Sequence, residues 1–137
     1  LLAADKVIGI APCKDHNLCS ASMSMKNWYG LLGGRRNQLH QRIHAAVADL
    51  AQMIQPTLVL LDGTRLLMRN GPTGGSLGDV AAGGTLVAGT DMVAVDAVGY
   101  ELLGRDPAHL DYLQQAAARG LGTAQWRQLH WRQERVA

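Results

Sequence analysis

The sequence predicts an α/β domain with a mostly parallel sheet flanked by helices. Three short apolar runs, at 6–11, 57–61 and 85–89, have the length and composition of buried strands. In the segments between and after them, apolar residues recur every three or four positions, which is the period of an α-helix. Strands that alternate with helices favour parallel pairing, because the connecting helices cover the faces of the sheet.

Composition indicates a single globular domain over residues 1–137. Hydrophobic residues make up 47% of the chain and charged residues 18%, which argues against intrinsic disorder. The net charge of +2 is too small to indicate nucleic acid or an anionic membrane as a partner. No apolar run reaches the roughly 18 residues that a membrane-spanning helix needs. The chain begins with Leu and has no secretory-signal pattern, so we expect the C-terminal portion of a longer domain.

The first half of the chain predicts one strand and two helices. The strand at 6–11 ends at a proline, and the polar stretch at 13–20 is expected to form a loop beyond it. A helix is predicted over 22–32, where two glycines end it. The clearest helix spans 37–55 and is closed by a proline. Its apolar residues form one stripe: Leu39, Ile43, Val47, Leu50 and Ile54.

The middle of the chain predicts two more strands and a long loop between them. The strand at 57–61 is expected to turn at Asp62 and Gly63. The glycine-rich stretch at 70–84 is expected to be a loop, because glycine tolerates turn conformations and close backbone approach. The third strand follows at 85–89.

The last part of the chain predicts two helices and a tail. Helices are expected over 92–103 and 108–119, the second with a proline just before it. The tail, 123–137, is basic and aromatic, and its structure is not predicted. We expect it to dock onto a missing part of the chain or a partner subunit rather than onto nucleic acid, since no nucleic-acid-binding fold accompanies it.

Three basic side chains, His16, Lys26 and His40, are candidates for one pocket at the strand ends. Neutral imidazole binds divalent metals and transfers protons near neutral pH. A desolvated lysine has a lowered pKa and becomes a usable base or nucleophile. The alternative is that Lys26 lies on a helix surface while His16 hydrogen-bonds within its loop.

Other residues offer an anion site and a metal site. Arg35 and Arg36 follow a Gly-Gly turn at a predicted helix start, which would attract phosphate or carboxylate, although a solvated turn explains them equally well. Asp62 at a strand end and Asp96 within a helix could together hold Mg²⁺ or orient a histidine. Asp96 could instead pair with a surface arginine.

The two cysteines, Cys13 and Cys19, are five residues apart in a C-x₅-C pattern. This is not the spacing of a zinc or iron–sulfur motif, so ordinary thiols are favoured over a disulfide or a pair of metal ligands.

Several motifs, in order along the chain, resemble the domain-of-unknown-function 362 family. They cover nearly all of 4–122 and are PCKDH from Pro12, KNWYG from Lys26, GGRR from Gly33, LH from Leu39, LDG from Leu61, GPTGG from Gly71, GTDMVAVDA from Gly89 and GLG from Gly120.

The resemblance implies an α/β domain of bacterial proteins, often exported and sometimes accompanied by iron–sulfur modules. Cytoplasm and periplasm are therefore both possible compartments. Two cysteines are too few for a four-thiolate cluster, so no iron–sulfur cluster is expected within this chain. The family motifs contain Lys14, Asn27 and Gly74, which we assign with Arg35 and Arg36 to cofactor binding.

A more distant similarity is to the nickel-pincer lactate racemase family, which has the same order of histidine, lysine and histidine. In that family the histidines transfer a proton and bind the metal, and the lysine engages the cofactor.

The predicted function is therefore a ligand- or metal-binding domain of an enzyme. Proton-transfer or redox chemistry on a small anionic substrate is expected, with His16 and Lys26 as catalytic residues. A divalent metal would be bound by His40, Asp62 and Asp96. The alternative is a non-catalytic accessory or electron-transfer subunit of a larger complex.

Overall fold

Four strands form the sheet in the computed structural model, which describes residues 3–136. They are β1 (Ile8–His16), β2 (Ser20–Ser22), β3 (Leu58–Leu67) and β4 (Val80–Gly89), in the spatial order β2-β1-β3-β4. The central pair, β1 and β3, is parallel, and β2 and β4 join its two sides as antiparallel strands.

The helices are α1 (Ser24–Asn27), α2 (Ile43–Met53), α3 (Met92–Leu102) and α4 (Asp111–Ala118). The predicted α/β class is confirmed. The sheet is mixed because β1 connects to β3 through helices, whereas β2 follows β1 after a short turn and β4 follows β3 without an intervening α-helix, as antiparallel pairing permits.

Parts of two expected loops are strands, and one expected turn lies inside a strand. β1 continues to His16 through the stretch expected to be a loop, and β3 continues past Asp62 and Gly63 with a register shift between Gly63 and Arg65. β4 begins within the glycine-rich stretch. A Cβ at Gly83 would lie 2.2 Å from the carbonyl oxygen of Gly63, so this glycine permits close strand approach rather than a turn.

The two helices predicted in the first half are shorter than expected. The segment predicted as one helix over 22–32 forms α1 and a 3₁₀ turn at Trp28–Leu31. The next segment is a 3₁₀ helix over Arg36–Arg42 and becomes α-helical only at Ile43. The reason is burial: none of the residues of the 3₁₀ segment is fully buried, whereas Ile43 begins the stripe that packs into the core.

α3 confirms the predicted helix that follows β4, and α4 follows a 3₁₀ turn at Pro107–His109. α3 packs closely on the sheet through Gly99, where a Cβ would lie 2.4 Å from Cδ2 of Leu61. Asp91 caps its first turn by accepting a hydrogen bond from the amide of Ala94 at 2.9 Å. The same carboxylate accepts a bond from Thr123, which ties the end of the domain to α3.

The aromatic and basic tail folds back onto α3. Trp126 donates a hydrogen bond to Glu101, and the guanidinium of Arg127 donates to both oxygens of that carboxylate at 2.8 and 2.9 Å. The rings of Trp126 and Trp131 meet edge to face, with centroids 5.0 Å apart. Docking of the tail onto a missing segment or a partner stays a prediction. The half-exposed ring of Trp131 would provide the contact surface.

No helix among the described residues combines the length and the apolar character that crossing a membrane requires.

Candidate functional site

The buried carboxylate of Asp96 fixes the start of α1. It accepts hydrogen bonds from the backbone amides of Ser24, at 2.8 Å, and Met25, at 3.1 Å, and from the Ser24 hydroxyl. Burial raises the pKa of Asp96 to about 6, and the hydrogen bonds from Ser24 and Met25 act in the opposite direction. The carboxylate, although 72 residues from Ser24 in sequence, thus anchors the helix that carries Lys26.

Asn27, the last residue of α1, connects this helix to the sheet. Its side-chain amide donates a hydrogen bond to the carbonyl of Ile10 at 3.1 Å. β2 pairs with β1 only from Lys14 onward, so this carbonyl belongs to a part of the β1 edge that no strand covers. Asn27 therefore supplies a hydrogen bond that a neighbouring strand would otherwise provide.

Tyr29 organises the residues around it, although it was not predicted from the sequence as a functional residue. Its hydroxyl donates a hydrogen bond to the carbonyl of Arg36 at 2.7 Å. Its ring centroid lies 5.1 Å from Nζ of Lys26 and 5.2 Å from the ring centroid of His40. Tyr29 comes three residues after Lys26 in a segment predicted to be helical. Residues at that spacing share a helix face, and this was the only sign in the sequence that the two side chains are neighbours.

A cleft of about 290 Å³ opens beside this tyrosine. We refer to it as the cationic cleft. Its lining residues are Ser22, Lys26, Asn27, Tyr29, Gly30, Arg36, Asn37 and His40. Lys26, Arg36 and His40 supply basic groups, and no carboxylate is present among these residues. The 3₁₀ helix over Arg36–Arg42 therefore places Arg36 and His40 beside Lys26 of α1.

The positive groups around the cleft are close enough to affect one another. Burial is the main cause that lowers the pKa of Lys26, and the charges of Lys14 and Arg36 lower it further, while Cys19 acts in the opposite direction. Lys14 lies on β1 and is half-buried. Its predicted role in ligand binding is consistent with this electrostatic contribution, although it does not line the cleft.

His16 is buried at the end of β1, next to the cationic cleft but not among its lining residues. Burial lowers its pKa to about 4, and the charges of Lys26, His40 and Lys14 add to this effect. Nδ1 accepts a hydrogen bond from the amide of Leu18 at 3.1 Å, so the proton of the neutral ring resides on Nε2. At neutral pH His16 is therefore an uncharged hydrogen-bond donor.

Besides Lys14, three more of the predicted ligand-binding or metal-binding residues lie outside the cleft. Arg35 is exposed, and the turn before it leads into a 3₁₀ helix, so the expected α-helix N-terminus is absent there. Gly74 packs against Leu67, with a Cβ position 3.1 Å from that side chain. Asp62 is exposed on β3 and accepts hydrogen bonds from the amide and hydroxyl of Thr64.

The predicted metal ligands do not converge. Asp96 is fully buried and saturated by α1, Asp62 is exposed on the sheet, and His40 lines the cleft. Within residues 3–136, no group of three or more histidine, cysteine or acidic side chains is placed to hold a metal ion. The three predicted ligands therefore do not form one metal site.

The cysteines do not fit an iron–sulfur or metal centre. Both are free and buried, and their thiols donate to the carbonyls of Gly99 and Ala21, each at 3.2 Å. Burial raises the pKa of Cys13 to about 12 and that of Cys19 to about 11, which disfavours the thiolate that a metal requires.

Comparison with known proteins identifies the family. The family described as "Domain of unknown function (DUF362)" matches residues 1–101. The chain belongs to this family. The resemblance predicted from the sequence motifs is thereby confirmed, and the match includes β1 to α3 and every residue that lines the cationic cleft.

One curated relative of this DUF362 chain is the thylakoid-associated protein sll1697 of Synechocystis sp. It is 31% identical over 113 residues, which correspond to 77% of this chain and 34% of that protein. The chain thus spans about a third of the length of the relative. No solved structure matches the chain.

Proposed function

We propose that this chain is the ligand-binding domain of an enzyme and that its cationic cleft holds a small anionic ligand. The supporting observation is the lining: Lys26, Arg36 and His40 share a cleft in which no carboxylate is present. Lys26 is half-buried beside the exposed guanidinium of Arg36, and a half-buried positive group without a counter-charge is unfavourable. A bound anion would offset that cost and would be attracted by the charges of Lys26 and Arg36.

Carboxylate or phosphate groups suit the polar side chains of this cleft. Arg36 can donate two parallel hydrogen bonds to either group, and such charge-assisted bonds are stronger than neutral ones. Ser22 and Asn37 add neutral hydrogen-bonding groups to the lining. A volume of about 290 Å³ suits a small metabolite rather than a dinucleotide.

Lys26 would transfer a proton to or from such a ligand, since its side chain lines the cleft. The lowered pKa of Lys26 increases the fraction of neutral amine, which can act as a base. A bound anion would partly cancel the charges that depress the pKa of His16, so that pKa would move from about 4 toward its ordinary value. Ligand binding would thereby make His16 easier to protonate.

Isothermal titration calorimetry with inorganic phosphate tests the proposal. The variant Arg36→Gln is expected to weaken binding roughly ten-fold or more, because it removes a charge-assisted hydrogen bond of about 1.5–3 kcal/mol. Arg35→Gln is the matched control, since it removes the same charge from the adjacent, exposed position outside the lining. The proposal is wrong if phosphate does not bind to the unmodified chain, or if both variants bind phosphate equally.

A further inference from the structure

Lys26 has an environment that favours nucleophilic chemistry. It is half-buried, and within residues 3–136 no carboxylate forms an ion pair with its amine. The charged groups that lower its pKa, Lys14 and Arg36, are themselves positive. A desolvated lysine beside other cations is the kind of amine that enzymes use to attack carbonyl compounds.

The surroundings of this amine could also position a substrate. The Tyr29 ring centroid lies 5.1 Å from Nζ of Lys26, and the hydroxyl of that ring donates a hydrogen bond to the Arg36 carbonyl. The guanidinium of Arg36 lines the same cleft and can bind a carboxylate. His40, whose ring centroid lies 5.2 Å from that of Tyr29, supplies an imidazole for proton transfer.

We propose that Lys26 forms an imine with a small carbonyl compound that carries a carboxylate, such as a 2-oxo acid, bound in the cationic cleft. This inference rests on the proposed function and specifies its substrate class. Arg36 holds the carboxylate, and the carbonyl carbon lies next to Nζ.

The reaction balances without an oxidant or a second substrate. The lone pair of the neutral Lys26 amine attacks the carbonyl carbon, a C–N bond forms, and the electron pair of the C=O π bond moves to oxygen. The nitrogen loses one proton and the oxygen gains one, which gives a carbinolamine. The C–O bond then breaks with loss of water, the C=N bond forms, and His40 carries the protons in both stages. The net change is one amine and one carbonyl to one imine and one water.

Reductive trapping tests this inference, because the chain contains only three lysines, Lys6, Lys14 and Lys26. The chain is incubated with glyoxylate and sodium cyanoborohydride, which reduces an imine to a stable secondary amine, and the adduct is located by peptide mass spectrometry. Modification is expected first at Lys26. Lys26→Arg should abolish the fast adduct, and Lys6→Arg, at an exposed position outside the cleft, should leave it unchanged.

Two comparisons separate this inference from simple anion binding. Arg36→Gln should slow labelling of Lys26 by glyoxylate roughly ten-fold, because the carboxylate loses its charge-assisted hydrogen bonds. Propionaldehyde, which lacks a carboxylate, should label the lysines without this dependence on Arg36. If phosphate binding depends on Arg36 but glyoxylate labels all lysines at similar rates, the imine inference is overturned and the proposed function stands. If Lys26 is labelled selectively but phosphate does not bind, the anion-binding proposal fails instead.

Discussion

Replacing Asp96 with Asn tests the anchoring of α1 directly. The substitution keeps the size of the side chain and leaves one oxygen for the Ser24 amide and hydroxyl. The second oxygen becomes an amide nitrogen that faces the amide of Met25, so the 3.1 Å hydrogen bond is lost and a buried N–H remains unpaired. An unpaired buried donor costs about 1–3 kcal/mol. We expect the free energy of unfolding to fall by about 2 kcal/mol at pH 7, within that range.

Urea denaturation followed by circular dichroism measures this difference. A change of about 2 kcal/mol corresponds to a fall in Tm of roughly 6–10 °C for a domain of this size. Asp62→Asn is the matched control, because Asp62 is exposed and Asn can still accept the bonds from Thr64. For Asp62→Asn we expect the free energy of unfolding to change by no more than about 0.5 kcal/mol. Equal stabilities of the two variants would refute the anchoring role.

The pH dependence of this effect has a defined sign. The pKa of Asp96 is about 6 in the folded chain and 3.8 when unperturbed. The folded state therefore binds the proton of the Asp96 carboxyl more tightly than the unfolded state does. The stabilisation that this proton provides is fully present below pH 3.8 and is lost as the pH rises through about 6. The Asp96→Asn variant should not show this pH-dependent loss of stability, because Asn does not titrate.

Three further predictions follow from the surrounding contacts. Arg105→Ala removes a 2.6 Å ion pair with Asp15 and should lower the free energy of unfolding by about 2–3 kcal/mol in urea denaturation. Gly71→Ala should lower the free energy of unfolding by more than about 3 kcal/mol in the same assay, because the new Cβ would overlap the Asp15 carbonyl. Gly78→Ala should be tolerated, because its Cβ would lie 3.4 Å from the nearest atom, Oγ of Ser76. For His16, an NMR titration should give a pKa near 4, and a pKa of 6.5 would contradict this. The free energy of unfolding should also fall as the pH is lowered from 6.5 to 4, because the unfolded chain takes up a proton at His16 that the folded chain excludes.

Periodicity predicted the parts of the fold whose side chains are buried in a regular pattern. The apolar stripe from Ile43 identified α2, and the apolar run that begins at Met92 identified α3. The extent of β1 and β3 was not predictable, because polar residues such as Lys14 and Asp62 lie within strands that are paired by neighbours remote in sequence. The local composition of these segments predicts loops, and they are strands only because remote segments pair with them.

The structure brings together only part of the site predicted from the sequence. Lys26 and His40 line the cleft, whereas His16 is buried outside the lining. Asp96 was expected to bind a metal or a surface arginine, but its partners are the amides of Ser24 and Met25, 72 and 71 residues away, which no local pattern indicates. Tyr29 was missed because its role depends on the 3₁₀ turn, which has no distinctive sequence pattern.

The most direct test of the cationic cleft is an NMR titration of the ¹⁵N-labelled chain with inorganic phosphate. The account predicts saturable shifts of the backbone amides of Asn27, Gly30 and Asn37, which line the cleft, and a rise in the pKa of His16. Shifts confined to the tail around Arg127, or no saturable shifts at all, would contradict it.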